Sequence, residues 1–205
     1  IFEKMSTRVL FTDLDGTLLN DAKEVTPGNQ SAIDEALAKG HKIVVCTGRP
    51  LASARACAAK AGLVKEGCYV ICFNGGQIYD PYHEKTVYGK TFPREIAVDI
   101  INEALKRDLH IQGYNDTEIL CVRETEELKQ YAAVNRLPYK IVASAEEVVP
   151  KDPYKLIALT TSEEREKNLK FQKEVIAPLA GKVQSFFSND RYQEIVPEVI
   201  SKGFA

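Results

Sequence analysis

The chain has 205 residues, 44% of them hydrophobic, enough to bury a sizeable core in one large domain or two small ones. Its 27 basic and 29 acidic residues nearly cancel, and no charge run marks a nucleic-acid or membrane surface. No apolar stretch approaches the ~20 residues of a membrane span, and the five cysteines form no CxxC pair, so a reduced, cytoplasmic protein is the natural reading.

Ile1–Lys4 precede Met5, the only methionine, and read as an extension to the fold. Strand and helix then alternate. The run "RVLFTD" (8–13) is a buried strand. The stretch "TPGNQSAIDEALAKG" (26–40) is a helix with Thr26 as N-cap, Pro27 in the first helical position and Gly40 at the stop. "KIVVCTG" (42–48) and "YVICFNGG" (69–76) are further buried strands, separated by the alanine-rich helix "LASARACAAKAGL" (51–63). Near-continuous apolar strands joined by helices argue for a parallel sheet with right-handed crossovers. After Gly76 the pattern changes. "QIYD" and "TVYGK" read as a hairpin leading away from the core, and an α+β series of helices (94–107, 124–136, 162–180) and strands follows. The chain is expected to return to its first domain at "EIVPEVISKG". This gives an α/β protein with a Rossmann-like parallel-sheet core (1–81 and 191–205) and an inserted α+β cap (82–190).

In an open parallel sheet, ligands bind at the carboxyl ends of the strands. Three strands here end in polar turn clusters: "DLDGT" (13–17), "TGRP" (47–50) and "NGG" (74–76). Asp13 and Asp15 admit three readings. They could cap a turn. They could open a calcium loop, but Leu18 stands where that loop needs glycine and a strand precedes it. Or they form a phosphoryl-transfer pair, Asp13 attacking phosphorus, Asp15 protonating the leaving oxygen, and both helping to collect Mg²⁺. His41, His83 and His110 show no metal spacing, and no P-loop or dinucleotide fingerprint is present.

Taken in order, "DLDGTLL", "CTGRP" and "EVISKG" resemble motifs I, II and III of the haloacid dehalogenase-like phosphatases. "FNGG" and the large insert resemble the branch with a C2-type (type IIB) cap, which is sugar-phosphatase-like. The resemblance implies that Asp13 is a nucleophile forming an aspartyl-phosphate and Asp15 the general acid that later activates water. Both would be magnesium ligands, Asp15 through its backbone carbonyl. Leu14 and Gly16 would offer N–H groups to the phosphate. Thr47 resembles the residue that hydrogen-bonds the transferring group, though a strand-end threonine also makes local turn bonds. Gly48 lets the backbone pass close to a ligand, and Arg49 either holds substrate or fixes the loop. Lys202 resembles the lysine that counters phosphate charge; an arbitrary lysine is a solvated surface residue. Asn74 resembles a residue that orients the nucleophile loop or touches substrate, with a plain turn asparagine as the rival.

The family's fourth motif, an acidic "GDxxND"-type loop that completes the magnesium shell, is absent. Because Ser201 reads as a cap and Phe204 and Ala205 as the start of a helical face, the expectation is that the chain continues past Ala205. The expected function is Mg²⁺-dependent hydrolysis of a small phosphorylated metabolite, sugar-phosphate-like by resemblance. A phosphotransferase or mutase, and a non-catalytic phosphometabolite-binding module, are the rivals. No nucleic-acid or membrane partner is expected, and the oligomeric state is not legible.

Overall fold

The computed structural model describes residues 6–203. The expectations for residues 1–5 and for a helical face at Phe204 and Ala205 lie outside the described residues. The chain divides into two compact units, the first running through Tyr88 and the second starting at Gly89.

The first unit is built on a five-stranded sheet of order β1-β2-β3-β4-β5. Strand β1 (Val9–Thr12) pairs in parallel with β2 (Lys42–Cys46), and β2 in parallel with β3 (Tyr69–Cys72). Helices α1 (Pro27–Ala38) and α2 (Leu51–Lys60) make the two crossovers. Local chemistry sets their limits. The Thr26 hydroxyl accepts the Asn29 N–H at 3.2 Å, Pro27 opens the helix, and Gly40 leaves it at φ +80°. Ile43, Val44, Val45, Val70 and Ile71 are all buried, as expected of parallel strands covered on both faces. Strand β1 differs: it lies at the sheet edge, and Val9, Leu10 and Phe11 are 51%, 57% and 61% exposed.

A three-residue turn, Phe73–Gly75, links β3 to β4 (Gln77–Asp80), which runs antiparallel with Cys72 opposite Gln77. Strand β5 (Lys85–Gly89) follows after four residues, tied by the Asp80 carboxylate, which accepts the Tyr82 and His83 N–H groups at 3.0 Å each. The hairpin expected to leave the core is thus the outer part of its sheet. Ile78 packs on Val44, Cys46 and Ile71, which anchors β4 there.

The second unit follows the order α3 (Arg94–Lys106), β6 (His110–Tyr114), β7 (Ile119–Cys121), α4 (Glu126–Asn135), β8 (Tyr139–Ile141), α5 (Ala145–Val148), β9 (Leu156–Leu159), α6 (Arg165–Phe171), β10 (Val183–Asn189) and β11 (Tyr192–Pro197). After α6 a π-type turn (Gln172–Ile176) and a 3₁₀ turn containing Pro178 replace the single long helix expected over 162–180, since proline removes a helical donor. The six strands form one sheet of order β10-β11-β9-β6-β7-β8. Ile111, Leu156, Ala158 and Ile195 on one face join Ile100, Ile101, Ala104, Val148 and Phe171 in a continuous core. Here the structure departs from the expected boundaries. Strand β11, expected to rejoin the first domain, pairs with β9 (Tyr192 opposite Leu159, Ile195 opposite Leu156) and with β10. Its alternating apolar side chains have their partners in this second core.

The opposite face of the second sheet is polar yet buried. The Lys155 ammonium lies 2.7 Å from the Glu194 carboxylate and 5.7 Å from the Tyr114 ring centroid, while Ser188 donates to Glu194 at 2.9 Å. The Tyr114 and Tyr131 hydroxyls meet at 2.8 Å. Among the described residues no helix is long and apolar enough to cross a membrane.

Removing one partner of a buried ion pair leaves an uncompensated charge, whereas replacing both with apolar groups removes that penalty. Lys155→Met should therefore destabilise the second unit by about 3–5 kcal/mol, and Lys155→Met with Glu194→Leu by much less. Urea unfolding midpoints of the three proteins check this; equal losses in single and double variants would sink it.

Candidate active site

The site begins where β1 ends. Asp13 is the first residue beyond the strand, and its own carboxylate Oδ1 accepts the Leu14 N–H at 2.9 Å. That N–H, expected to face a phosphate, is here used to orient the Asp13 side chain. The main chain then closes on itself, Leu18 N–H bonding the Asp13 carbonyl at 3.2 Å and Leu19 N–H the Leu14 carbonyl at 2.8 Å. Gly16 takes φ +73°, with nothing within 4 Å of where a Cβ would lie, so its requirement is conformational. The segment returns through bridges of Leu19 with Asp15 and Val25. This brings Lys23, itself at φ +60°, back onto Asp15.

Asp15 is gripped by two cations. Arg49 donates from Nε to Oδ2 and from Nη2 to Oδ1, both at 2.8 Å, in a bidentate pair. Lys23 Nζ adds a third bond at 2.7 Å. The Arg49 hydrogen bonds hold the Asp15 carboxyl down to about 2, with burial opposing and Lys23 assisting. Arg49 itself is buried, and its Nη1 donates to Ser53 Oγ at 3.1 Å and contacts Cys57 Sγ at 3.7 Å on α2. Of the two roles expected for Arg49, these contacts show the loop-fixing one. Sequence reading missed Lys23, Ser53 and Cys57. Ser53 and Cys57 carried one signal, a four-residue spacing that puts both on one face of α2.

The loops after β2 and β3 interlock. Thr47 donates its N–H to the Ile71 carbonyl at 2.8 Å and receives the Asn74 N–H on its own carbonyl at 3.2 Å; Phe73 N–H bonds the Arg49 carbonyl at 3.1 Å. The buried Thr47 hydroxyl accepts the Arg49 N–H at 3.2 Å, a local turn bond that leaves the hydroxyl hydrogen to be donated. The first unit thus gathers Asp13, Leu14, Asp15, Gly16, Thr47, Gly48, Arg49 and Asn74 on the loops that follow β1, β2 and β3. Lys202 lies in the turn after β11 and belongs to the second unit.

Among the described residues no three His, Cys, Asp or Glu side chains gather in a metal-holding cluster. The Asp15 carboxylate, already shared by two cations, is a poor ligand for a third. The Asp13 carboxylate and the Asp15 carbonyl are the oxygens this loop can offer, a partial but compatible share of an octahedral shell.

The geometry sets a sign for pH. A carboxyl whose folded value is depressed contributes stability above its unfolded value near 3.8, lost as pH falls toward 2. Carboxyl NMR titration should find Asp15 titrating near 2, and rising toward the ordinary range in Arg49→Leu. An unchanged value in that variant would show that Arg49 is not the cause.

Known proteins similar to this chain show its family. YxeH of Bacillus subtilis is 40% identical over 80 residues, 39% of this chain and 30% of YxeH. YbhA of Escherichia coli, a pyridoxal phosphate phosphatase, is 38% identical over 119 residues, 55% of this chain and 40% of YbhA. The matched stretch is well under half the length of either relative. The crystal structure of TM0651 from Thermotoga maritima superposes with a TM-score of 0.79 at 31% identity, covering 97% of this chain and 72% of that one. With residues 10–205 matching the haloacid dehalogenase-like hydrolases, the chain belongs to that family.

Proposed function

We propose that the protein is a Mg²⁺-dependent phosphatase of small phosphorylated metabolites that works through an aspartyl-phosphate on Asp13. The observation that carries this reading is the gathering of Asp13, the clamped Asp15 and the Thr47 hydroxyl on the loops after three adjacent strands. Family membership and the phosphatase activity in YbhA's name support it. A sugar phosphate as substrate rests on the sequence resemblance.

In the first half-reaction an Asp13 carboxylate oxygen attacks phosphorus, the bond to the leaving oxygen breaks, and that oxygen takes a proton from Asp15. In the second, water attacks the aspartyl-phosphate, returns a proton to Asp15, and phosphate leaves with Asp13 restored. The Arg49 and Lys23 contacts keep Asp15 as a carboxylate, ready to accept the water's proton. Its acid role requires these contacts to loosen, and a phosphate dianion beside Asp15 acts in that direction, because a like charge raises a carboxyl's proton affinity. Thr47 would donate its hydroxyl hydrogen to a phosphoryl oxygen; for Lys202, the role of countering phosphate charge rests on the sequence resemblance alone. Asp13 and the Asp15 carbonyl would hold Mg²⁺, which would supply neutralisation of phosphate charge. Five cysteine thiols fit a reducing, cytoplasmic setting.

Asp13→Asn should abolish phosphate release from small phosphate esters while leaving the circular dichroism spectrum and melting temperature nearly unchanged. Inorganic phosphate assayed against total ester consumed also separates hydrolysis from transfer. Appreciable turnover by the Asn variant would remove Asp13 as nucleophile.

A further inference from the structure

Two glycines flank the site's charged pair, and the structure requires them for different reasons. Gly16 needs its left-handed backbone. Gly48 does not: its φ lies outside the positive region, so its backbone suits any residue. What a side chain there would do is displace a neighbour. A Cβ on Gly48 would lie 2.6 Å from Asn74 Oδ1, 3.4 Å from Asn74 Cγ and 3.6 Å from Asn74 Nδ2, and these three nearest atoms all belong to one side chain.

That side chain is held there by an unusual turn. Phe73, Asn74 and Gly75 have φ of +51°, +59° and +101° in succession. Asparagine tolerates the left-handed region, but a buried phenylalanine in it is a real outlier, and strain of this kind persists only when its surroundings over-determine it. The surroundings are the two carbonyls of the neighbouring loop, Arg49 receiving Phe73 N–H and Thr47 receiving Asn74 N–H. The strained turn is pinned to the residues on either side of Gly48, and the Asn74 amide lies across the gap between them.

We propose that Gly48 is kept small by Asn74 rather than by a ligand, and that the Asn74 amide is a positioning group which braces Thr47 and Arg49 for the phosphoryl-transfer step. This rests on the phosphatase reading and deepens it. Gly48 passes from the set of ligand-approach residues to that of packing partners, and the two positions form one unit.

The test is a double-mutant cycle in the intact protein. Asn74→Gly keeps the left-handed backbone without strain and deletes only the amide; Gly48→Ala pushes the amide aside. Each single variant should lose about tenfold or more in phosphate release, falling on kcat rather than KM, as for a misplaced catalytic loop. The double variant should be no worse than Asn74→Gly alone, because the methyl then has nothing to strike. In melting temperature, Gly48→Ala should destabilise the protein that retains Asn74 and spare the one that already carries Asn74→Gly.

Multiplied losses in the double variant would overturn the proposal and return Gly48 to the ligand. Wild-type kcat in Asn74→Gly would show that the amide positions nothing, and wild-type behaviour of Gly48→Ala would show that the contact carries no constraint. If the unmutated protein released no phosphate, the phosphatase reading would fail while the melting cycle still reported on the pair.

Discussion

A buried guanidinium has five N–H groups and no way to lose its charge, so whatever surrounds it must be arranged to receive them. Arg49 is that constraint in the first unit. It lies just past the end of β2, and its fork reaches Asp15 on the β1 loop while its other nitrogen reaches Ser53 and Cys57 on α2. One side chain therefore ties two strand ends and a helix into a single body. Its own main chain is in turn held by Phe73 from the loop after β3. Positioning of Asp15 is thus not the work of the "DLDGT" segment alone.

Much of the first unit was legible in the sequence because its signals are local. Thr26, Pro27 and Gly40 bound α1 by chemistry acting within a few residues. The apolar runs of β2 and β3 allow no other burial than a covered parallel sheet. Asp13, Thr47 and Asn74 could be placed near one another by the topological rule alone, since each follows a neighbouring strand. What was not legible depends on geometry that no short window contains. Lys23 reaches Asp15 only because the chain doubles back at a left-handed residue, and nothing in "NDAKEV" announces that turn.

Strand β11 shows a different limit. Its alternation of apolar side chains was visible, but alternation says only that a strand has a buried face, not which sheet supplies the partner. Both cores were open to it, and Leu156 and Ala158 in β9 are what claim Ile195. The hairpin β4–β5 failed for the same reason in the other direction, Ile78 having its partners in the first core. Distances also add contacts at Leu14 and Gly48 that no sequence window contains: one amide is turned on Asp13, and one glycine lies against a neighbour's side chain.

The exposed edge at β1 has a bearing on Asp13. Among the described residues the strand pairs with β2 on one side only, through four register positions, and its outward Val9, Leu10 and Phe11 are more than half accessible to water. Backbone with half its ladder unmade opens at lower free energy than the strands inside the sheet, so β1 amides should exchange with solvent faster than those of β2 and β3. The strand that leads into Asp13 is then looser than its inner neighbours. Any surface that comes to lie along that edge would stiffen β1, and with it narrow the spread of positions open to the Asp13 carboxylate. Coverage of the edge that runs directly into Asp13 is thereby a control on how sharply its carboxylate is aimed.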